Sequence, residues 1–267
     1  MAKMVDIEET TAKVQEVIPE KTVVSKDNYY VIKGLPSGGK FYPQGTEIMG
    51  RPLKVLEVKQ LSAINEDNAD NIINSILRKS VKGLPIDDIL IADKLFIMFW
   101  LRTNTYRESN YILNYKCGTC KEEVSYEFLL ENLGIKNVPD TFSIERLTFK
   151  LKGNQDEIKF GFPTIKQERV ADEFKNNASY INNIDTDIVG LCVLIKSING
   201  ESKSMLEKYN YIISLDPSDY AYLISYINKW SFGIDPIVNA TCKNCGGVSL
   251  MGVSFQGDFW IPSICID

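Results

Sequence analysis

Histidine is absent from this 267-residue chain. With it go the commonest general acid–base, the usual partner of a nucleophilic serine or cysteine, and every zinc site that needs imidazole. Most hydrolase mechanisms are excluded on that ground, and the chain is read as a non-enzyme. Long apolar runs are missing too: the longest, residues 95–101, falls far short of the ~20 residues a membrane-spanning helix needs. The opening MAKMVDIEETTAKVQ has no apolar signal core. No secretory signal is therefore expected, and a reducing compartment follows, where cysteines favour metal or free thiol over disulfide. An excess of positive charge is lacking as well. The net charge is -5, against the basic field that a dedicated nucleic-acid binder shows.

What is present starts with a hydrophobic fraction of 44%, enough for a sizeable core in one large domain or two ordinary ones. Two Cys-x-x-Cys pairs, Cys117/Cys120 and Cys242/Cys245, stand 125 residues apart. Each offers two thiolates from one tight turn, half of a tetrahedral zinc site. With no histidine to complete either half, the expected site is four cysteines on one structural Zn²⁺. The competing readings are two pairs of leftover free thiols and a thioredoxin-like redox motif. The redox motif needs its pair at a helix N-terminus after a strand, whereas both turns here lie between expected strands. Gly118, Gly246 and Gly247 suit a metal-knuckle backbone. Cys192 sits in an apolar helical stretch and reads as a small buried hydrophobe, while Cys265 near the end carries no reading.

Three other motifs weaken on inspection. Gly34-x₄-Gly39-Lys40 resembles a phosphate-binding loop, but Phe41 replaces the Mg²⁺-binding hydroxyl and Phe41-Tyr-Pro43 cannot open a helix. Asn183-x-Asp185-x-Asp187 starts like a calcium loop, yet Leu194 occupies the place of the bidentate glutamate. Asp87-Asp88 reads as a helix start and Glu122-Glu123 as solvated surface. The tyrosines between 209 and 226 fall at helical spacing and read as core and interface.

Along the chain, residues 1–28 form a polar arm with a marginal helix near 11–17. A strand over 29–33 enters the Gly/Pro-rich loop 34–45. Helices are expected over 55–64, 69–81 and from Asp87 or Asp88 to about Thr103. Strands 111–115 and 123–126 flank the first cysteine turn, and a linker covers 134–141. Then come a hairpin (142–151 and 157–160, turning at Gly153-Asn154), helices over 164–180, 186–198 and 203–214, and a helix capped by Asp216 with Pro217 first. Strands 237–240 and 248–255 flank the second cysteine turn. The halves match in order, with Lys59-Gln60 over Lys166-Gln167, the 77–83 run over 194–200, Phe99 over Ile224, and the cysteines last. Offsets grow from 107 through 117 to 125. The expectation is an α+β fold of two homologous halves, 29–140 and 141–267, each with a strand pair, helices and a knuckle, joined at a shared zinc.

The run Leu35-Pro-Ser-Gly-Gly-Lys-Phe-Tyr-Pro43, then Gly45-x-Glu47, Arg51-Pro-Leu53, Glu57, Ile89-Leu-Ile-x-Asp93-Lys-Leu-Phe96, Leu101-Arg102 and the Cys117 knuckle resembles a known family. It is similar to the small baseplate hub proteins of T-even-like contractile-tailed bacteriophages, covering residues 34–130 well. Lys94 stands where that family more often has arginine. The resemblance implies a non-enzymatic role in tail baseplate or hub assembly, through contacts with other baseplate, hub or tape-measure proteins. It also implies assembly in the host cytoplasm and a place in the virion tail, or a role confined to assembly. No membrane and no nucleic acid are expected as partners. The rival is a zinc-ribbon nucleic-acid or transcription-associated factor, which needs a basic face. Only Lys116, Lys121 and Lys243 stand near the cysteines, opposed by Glu122 and Glu123.

Overall fold

The computed structural model describes residues 28–65, 68–106, 110–177, 184–255 and 257–261. The arm expected over 1–28 lies outside them but for Asn28, as do Asn183 and Cys265. The chain mixes helices with small antiparallel sheets, as expected of an α+β protein.

The first stretch comprises β1 (Tyr30–Val31), β2 (Met49–Gly50), α1 (Val55–Ser62), α2 (Ala69–Ser80), β3 (Val81–Lys82) and α3 (Ile91–Thr105). It ends in the hairpin β4 (Asn110–Lys116) and β5 (Glu123–Leu129), followed by β6 (Gly134–Lys136). Next come β7 (Thr148–Lys150), β8 (Glu157–Phe160), α4 (Ile165–Asn177), α5 (Thr186–Leu194), β9 (Ile195–Ile198), α6 (Met205–Ile213) and α7 (Pro217–Trp230). The chain closes with β10 (Gly233–Asp235), the hairpin β11 (Ile237–Thr241) and β12 (Val248–Gly252), and α8 (Gly257–Trp260). One order recurs. Two strands, two helices and a third strand form an antiparallel sheet ordered β1-β2-β3 and again β7-β8-β9. In both cases the second helix runs into the third strand with no intervening loop, and a long helix and a cysteine hairpin follow.

Several expected boundaries move. Asp87 and Asp88 lie in a 3₁₀ turn, Ile86–Asp88, and α3 starts only at Ile91. The helix expected over 186–198 stops at Leu194, because the β-branched Ile195 and Ile198 pair as β9 with Phe160 and Ile158. The expected linker 134–141 contains β6, which pairs with β10 through Ile135↔Ile234. Of the hairpin strand expected over 142–151, only Thr148–Lys150 is strand, since Ile144–Leu147 forms a 3₁₀ turn. Pro217 does open α7.

Two main cores result. One gathers α2, α3 and the first sheet around Ile76, Leu77, Ile97 and Leu101, and it also takes Val253, Phe259 and Trp260 from the C-terminal segment. The other lies under β7-β8-β9 around Leu151, Ile158, Ile195 and Leu223. Phe41 joins them: its ring stacks on Phe232 at 5.4 Å and meets Phe142 and Phe162 edge-on at 5.3 and 4.9 Å. The loop that resembles a phosphate cradle is thus a wedge of turns. Its Ser37 N–H and Tyr42 hydroxyl both donate to the buried Asp93, at 3.1 and 2.6 Å.

The charged motif residues are spent internally. The Arg51 guanidinium makes a two-pronged bond to Glu57 at 2.9 and 2.6 Å, while the Lys54 N–H donates to the same carboxylate. Arg102 is buried and donates to the Phe259 carbonyl at 2.5 Å, tying α3 to α8. Lys94 is buried between α2 and α4, 2.7 Å from Glu168 and 3.4 Å from Asp70.

Candidate metal centre

The two cysteine turns share one local design. In the first, the Cys117 N–H donates to the Glu122 carbonyl at 2.9 Å and the Lys121 N–H to the Cys117 carbonyl at 3.0 Å. In the second, the Cys242 N–H donates to Gly247 and the Gly246 N–H to Cys242, both at 2.9 Å. Each turn has one left-handed residue at the same position, Lys121 (φ 64°) and Gly246 (φ 72°). Glycine adopts that conformation freely, whereas a lysine there is uncommon. Its ammonium is anchored on the Gly118 carbonyl at 2.6 Å.

Alternation along the strands sets the hairpins face to face. Tyr115 and Ala240 are buried between them, with Val124, Tyr126 and Met251 packed around, and the Tyr115 hydroxyl donates to the Ala240 carbonyl at 3.3 Å. The cysteines close one end of this layer. The turns approach so closely that a Cβ on Gly247 would stand 2.6 Å from Thr119 Oγ1 and 3.3 Å from Cys245 Sγ. Gly247 therefore serves proximity, a role distinct from the left-handed turn at Gly246.

All four sulfurs lie within 4.8 Å of one another. Cys117 Sγ is 3.7 Å from Cys245 Sγ, and Cys120 Sγ is 3.7 Å from Cys242 Sγ, so both close contacts cross between hairpins. A disulfide would need about 2.05 Å. Tetrahedral thiolates roughly 2.3 Å from a zinc ion stand about 3.8 Å apart, and the donor set fits that geometry. Cys117 and Cys242 are buried, Cys120 is half-buried and Cys245 is exposed.

The electrostatics also call for a cation. The Cys117 thiol is pulled down to about 6 by the backbone N–H groups of Cys120 and Thr119, outweighing the effect of burial. Cys120 moves the other way, to about 12: the Glu122 N–H lowers it, but burial and the three neighbouring sulfurs prevail. One thiolate forms readily and makes the next costly. A divalent ion reverses that penalty, since a coordinating thiol is deprotonated outright. The four cysteines can hold a metal ion. With four sulfurs around it, such an ion has no open position for substrate.

The remaining candidates have local roles. Cys192 is fully buried in α5, and burial raises its thiol to about 11. Asp185 caps α5, accepting from the Asp187 and Ile188 N–H groups. No helix among the described residues is long and apolar enough to cross a membrane. From the sequence, Lys121 counts only as a cation near the cysteines, and nothing in the spacing marks Thr119 or the buried Tyr115.

No curated protein and no solved structure matches the chain. A family does: the one described as T4 bacteriophage base plate protein matches residues 27–246. That span holds all four cysteines, both three-stranded sheets and the motif residues from Leu35 to Arg102, so the chain belongs to the T4-like bacteriophage base plate protein family.

Proposed function

We infer that the protein is a non-enzymatic piece of the phage baseplate hub or of its assembly, built from two homologous halves clamped by one structural zinc ion on Cys117, Cys120, Cys242 and Cys245. The observation that carries this reading is the recurrence of one internal hydrogen-bond plan. Asp93 and Asp219 are each the third residue of a long helix. Each is buried and accepts from backbone N–H groups of the turn after the first strand of its sheet: Ser37 in one case, Gly153 and Asn154 in the other. The matched hydrogen bonds of the cysteine turns add a second instance. Helix propensity does not create such long-range pairings twice, whereas duplication of residues 29–140 into 141–267 does.

The non-enzymatic reading rests on where the family-motif charges go: Arg51, Glu57, Asp93 and Arg102 all serve packing. Function then lies on outer surfaces that meet other baseplate, hub or tape-measure proteins, with assembly in the host cytoplasm. Metal analysis of the purified chain is expected to return one zinc per molecule, and zero or two would sink the shared site. Superposed halves are expected to bring Cys117 onto Cys242 and α3 onto α7 in one direction. A pull-down from infected cells, followed by analysis of purified particles, separates a resident subunit from an assembly factor. Recovery with no tail component in either sample would overturn the baseplate role.

A further inference from the structure

The four clustered sulfurs do not meet an approaching reagent equally. Cys245 is exposed, Cys120 is half-buried, and Cys117 and Cys242 are buried. Cys245 Sγ stands 3.7 Å from Cys117 Sγ, and its turn-mate Cys242 stands 3.7 Å from Cys120 instead. Each sulfur therefore lies against one of the opposite turn, 128 or 122 residues away along the chain. The turns are held by their own backbone bonds: the Cys117 and Lys121 N–H groups donate in one, those of Cys242 and Gly246 in the other. Closing 3.7 Å to the roughly 2.05 Å of a disulfide is within reach of rotation about the two Cα–Cβ bonds, which leaves those backbone bonds in place.

We propose that the four cysteines have a second, covalent state: a peroxide joins the exposed Cys245 to the buried Cys117 as a disulfide that ties the hairpins in place of the metal ion. The proposal rests on the shared four-cysteine site and adds what that site becomes outside a reducing compartment. In the first step the Cys245 thiolate gives an electron pair to one oxygen of hydrogen peroxide. The O–O bond breaks, hydroxide leaves and a sulfenic acid forms. In the second step the Cys117 thiolate attacks the Cys245 sulfur. The S–S bond forms, the S–O bond breaks and a second hydroxide leaves. Two thiolates thus lose two electrons, and one peroxide gains them. Cys120 and Cys242 remain as two ligands for an ion that takes four, so zinc departs as the covalent link forms.

The test treats the full-length protein with equimolar hydrogen peroxide, blocks the remaining thiols and maps disulfides by mass spectrometry, while a chromogenic chelator reports released zinc. Zinc content is measured beforehand, so a protein without zinc fails the metal reading while the map still judges the disulfide. The expected first product links Cys117 to Cys245 within one chain, with zinc released in proportion and the fully buried Cys192 still a thiol. Two variants each remove one sulfur from the cluster. Cys120→Ser should still form the cross-link, whereas Cys245→Ser should leave Cys117 reduced at the same dose. In the cross-linked product the amides over 113–126 and 238–251 should keep their hydrogen-exchange protection. A first product closed within either turn, Cys117–Cys120 or Cys242–Cys245, would overturn the proposal. So would Cys117 oxidised in Cys245→Ser, or hairpin amides that lose protection with the cross-link in place.

Discussion

Replacing Cys242 by Ser tests whether one metal ion joins the two hairpins. In the proposed site one ion ties Cys117 and Cys120 to Cys242 and Cys245 across more than a hundred residues of chain. A covalent link closing a loop of that length is worth about 4–5 kcal/mol in chain entropy. Serine is a poor zinc ligand, so the variant should lose most of that, about 3–5 kcal/mol, from the opening free energy of the hairpin layer. Global unfolding is not expected. The far end of the layer is held independently by the Tyr111 hydroxyl on the Ser254 carbonyl (3.3 Å), the Val253 N–H on Pro236 (2.8 Å) and the Tyr111–Phe259 ring contact. Native-state hydrogen exchange is the direct assay. Amides over 113–126 and 238–251 should lose protection together, those of β7, β8 and β9 should keep theirs, and a chelator on wild-type protein should reproduce the pattern. Protection lost only over 238–251, or wild-type zinc retention by the variant, would refute the shared clamp.

Three further perturbations test the frame around it. Gly247→Ala puts a methyl 2.6 Å from Thr119 Oγ1 and should speed metal loss to a competing chelator; unchanged release would mean the turns do not need their close approach. Phe41→Ala removes a half-buried ring wedged among three phenylalanines and should cost about 2–3 kcal/mol in urea denaturation. A cost below about 0.5 kcal/mol, the usual range of a surface change, would place that ring outside the core. Asp219 and Asp93 should titrate in opposite directions. The Gly153 N–H, and with it that of Asn154, holds the Asp219 carboxyl below its ordinary value against the effect of burial, whereas burial raises Asp93. The stability Asp219 supplies is therefore present above the usual carboxylate range and lost as pH falls through its lowered value. That of Asp93 is present at low pH and lost as pH rises through its raised one. Melting curves at several pH values should show Asp219→Asn flattening the acid limb and lowering the neutral melting temperature more than Asp93→Asn does. The reverse order would refute the assignment.

How much of this was legible follows from the range of each interaction. The four sulfurs could be grouped from sequence because Cys-x-x-Cys is a local turn signature and a chain without histidine leaves few ways to complete the site. Helices α1, α2 and α7 were legible because period and caps are local. The β6–β10 pair was not: Gly134 and Pro139 give that stretch a linker's composition, and its partner is about a hundred residues away. The end of α5 was misread because Ile195 and Ile198 continue the helical apolar spacing, and only pairing with β8 makes them strand. Asp93 and Asp219 look like ordinary first-turn acids, and their partners are backbone groups in turns that no spacing rule connects to them.

The same long-range bonds show why a metal clamp, as proposed, would serve the cysteine hairpins. Each long helix is fixed at its start by a buried aspartate on its own sheet's turn, so the helices are oriented without metal. Phe41 joins the two cores near the α3 start, and Arg102 and Tyr106 hold α8 at the α3 end through the Phe259 and Trp260 carbonyls. Beyond that end the hairpins are two-stranded, and a lone pair of strands is marginal in water. Their shared interior is small, centred on Tyr115 and Ala240 with a few half-buried neighbours. Removing the proposed zinc ion should therefore leave the helical frame standing and release the hairpins, whose shared interior is small.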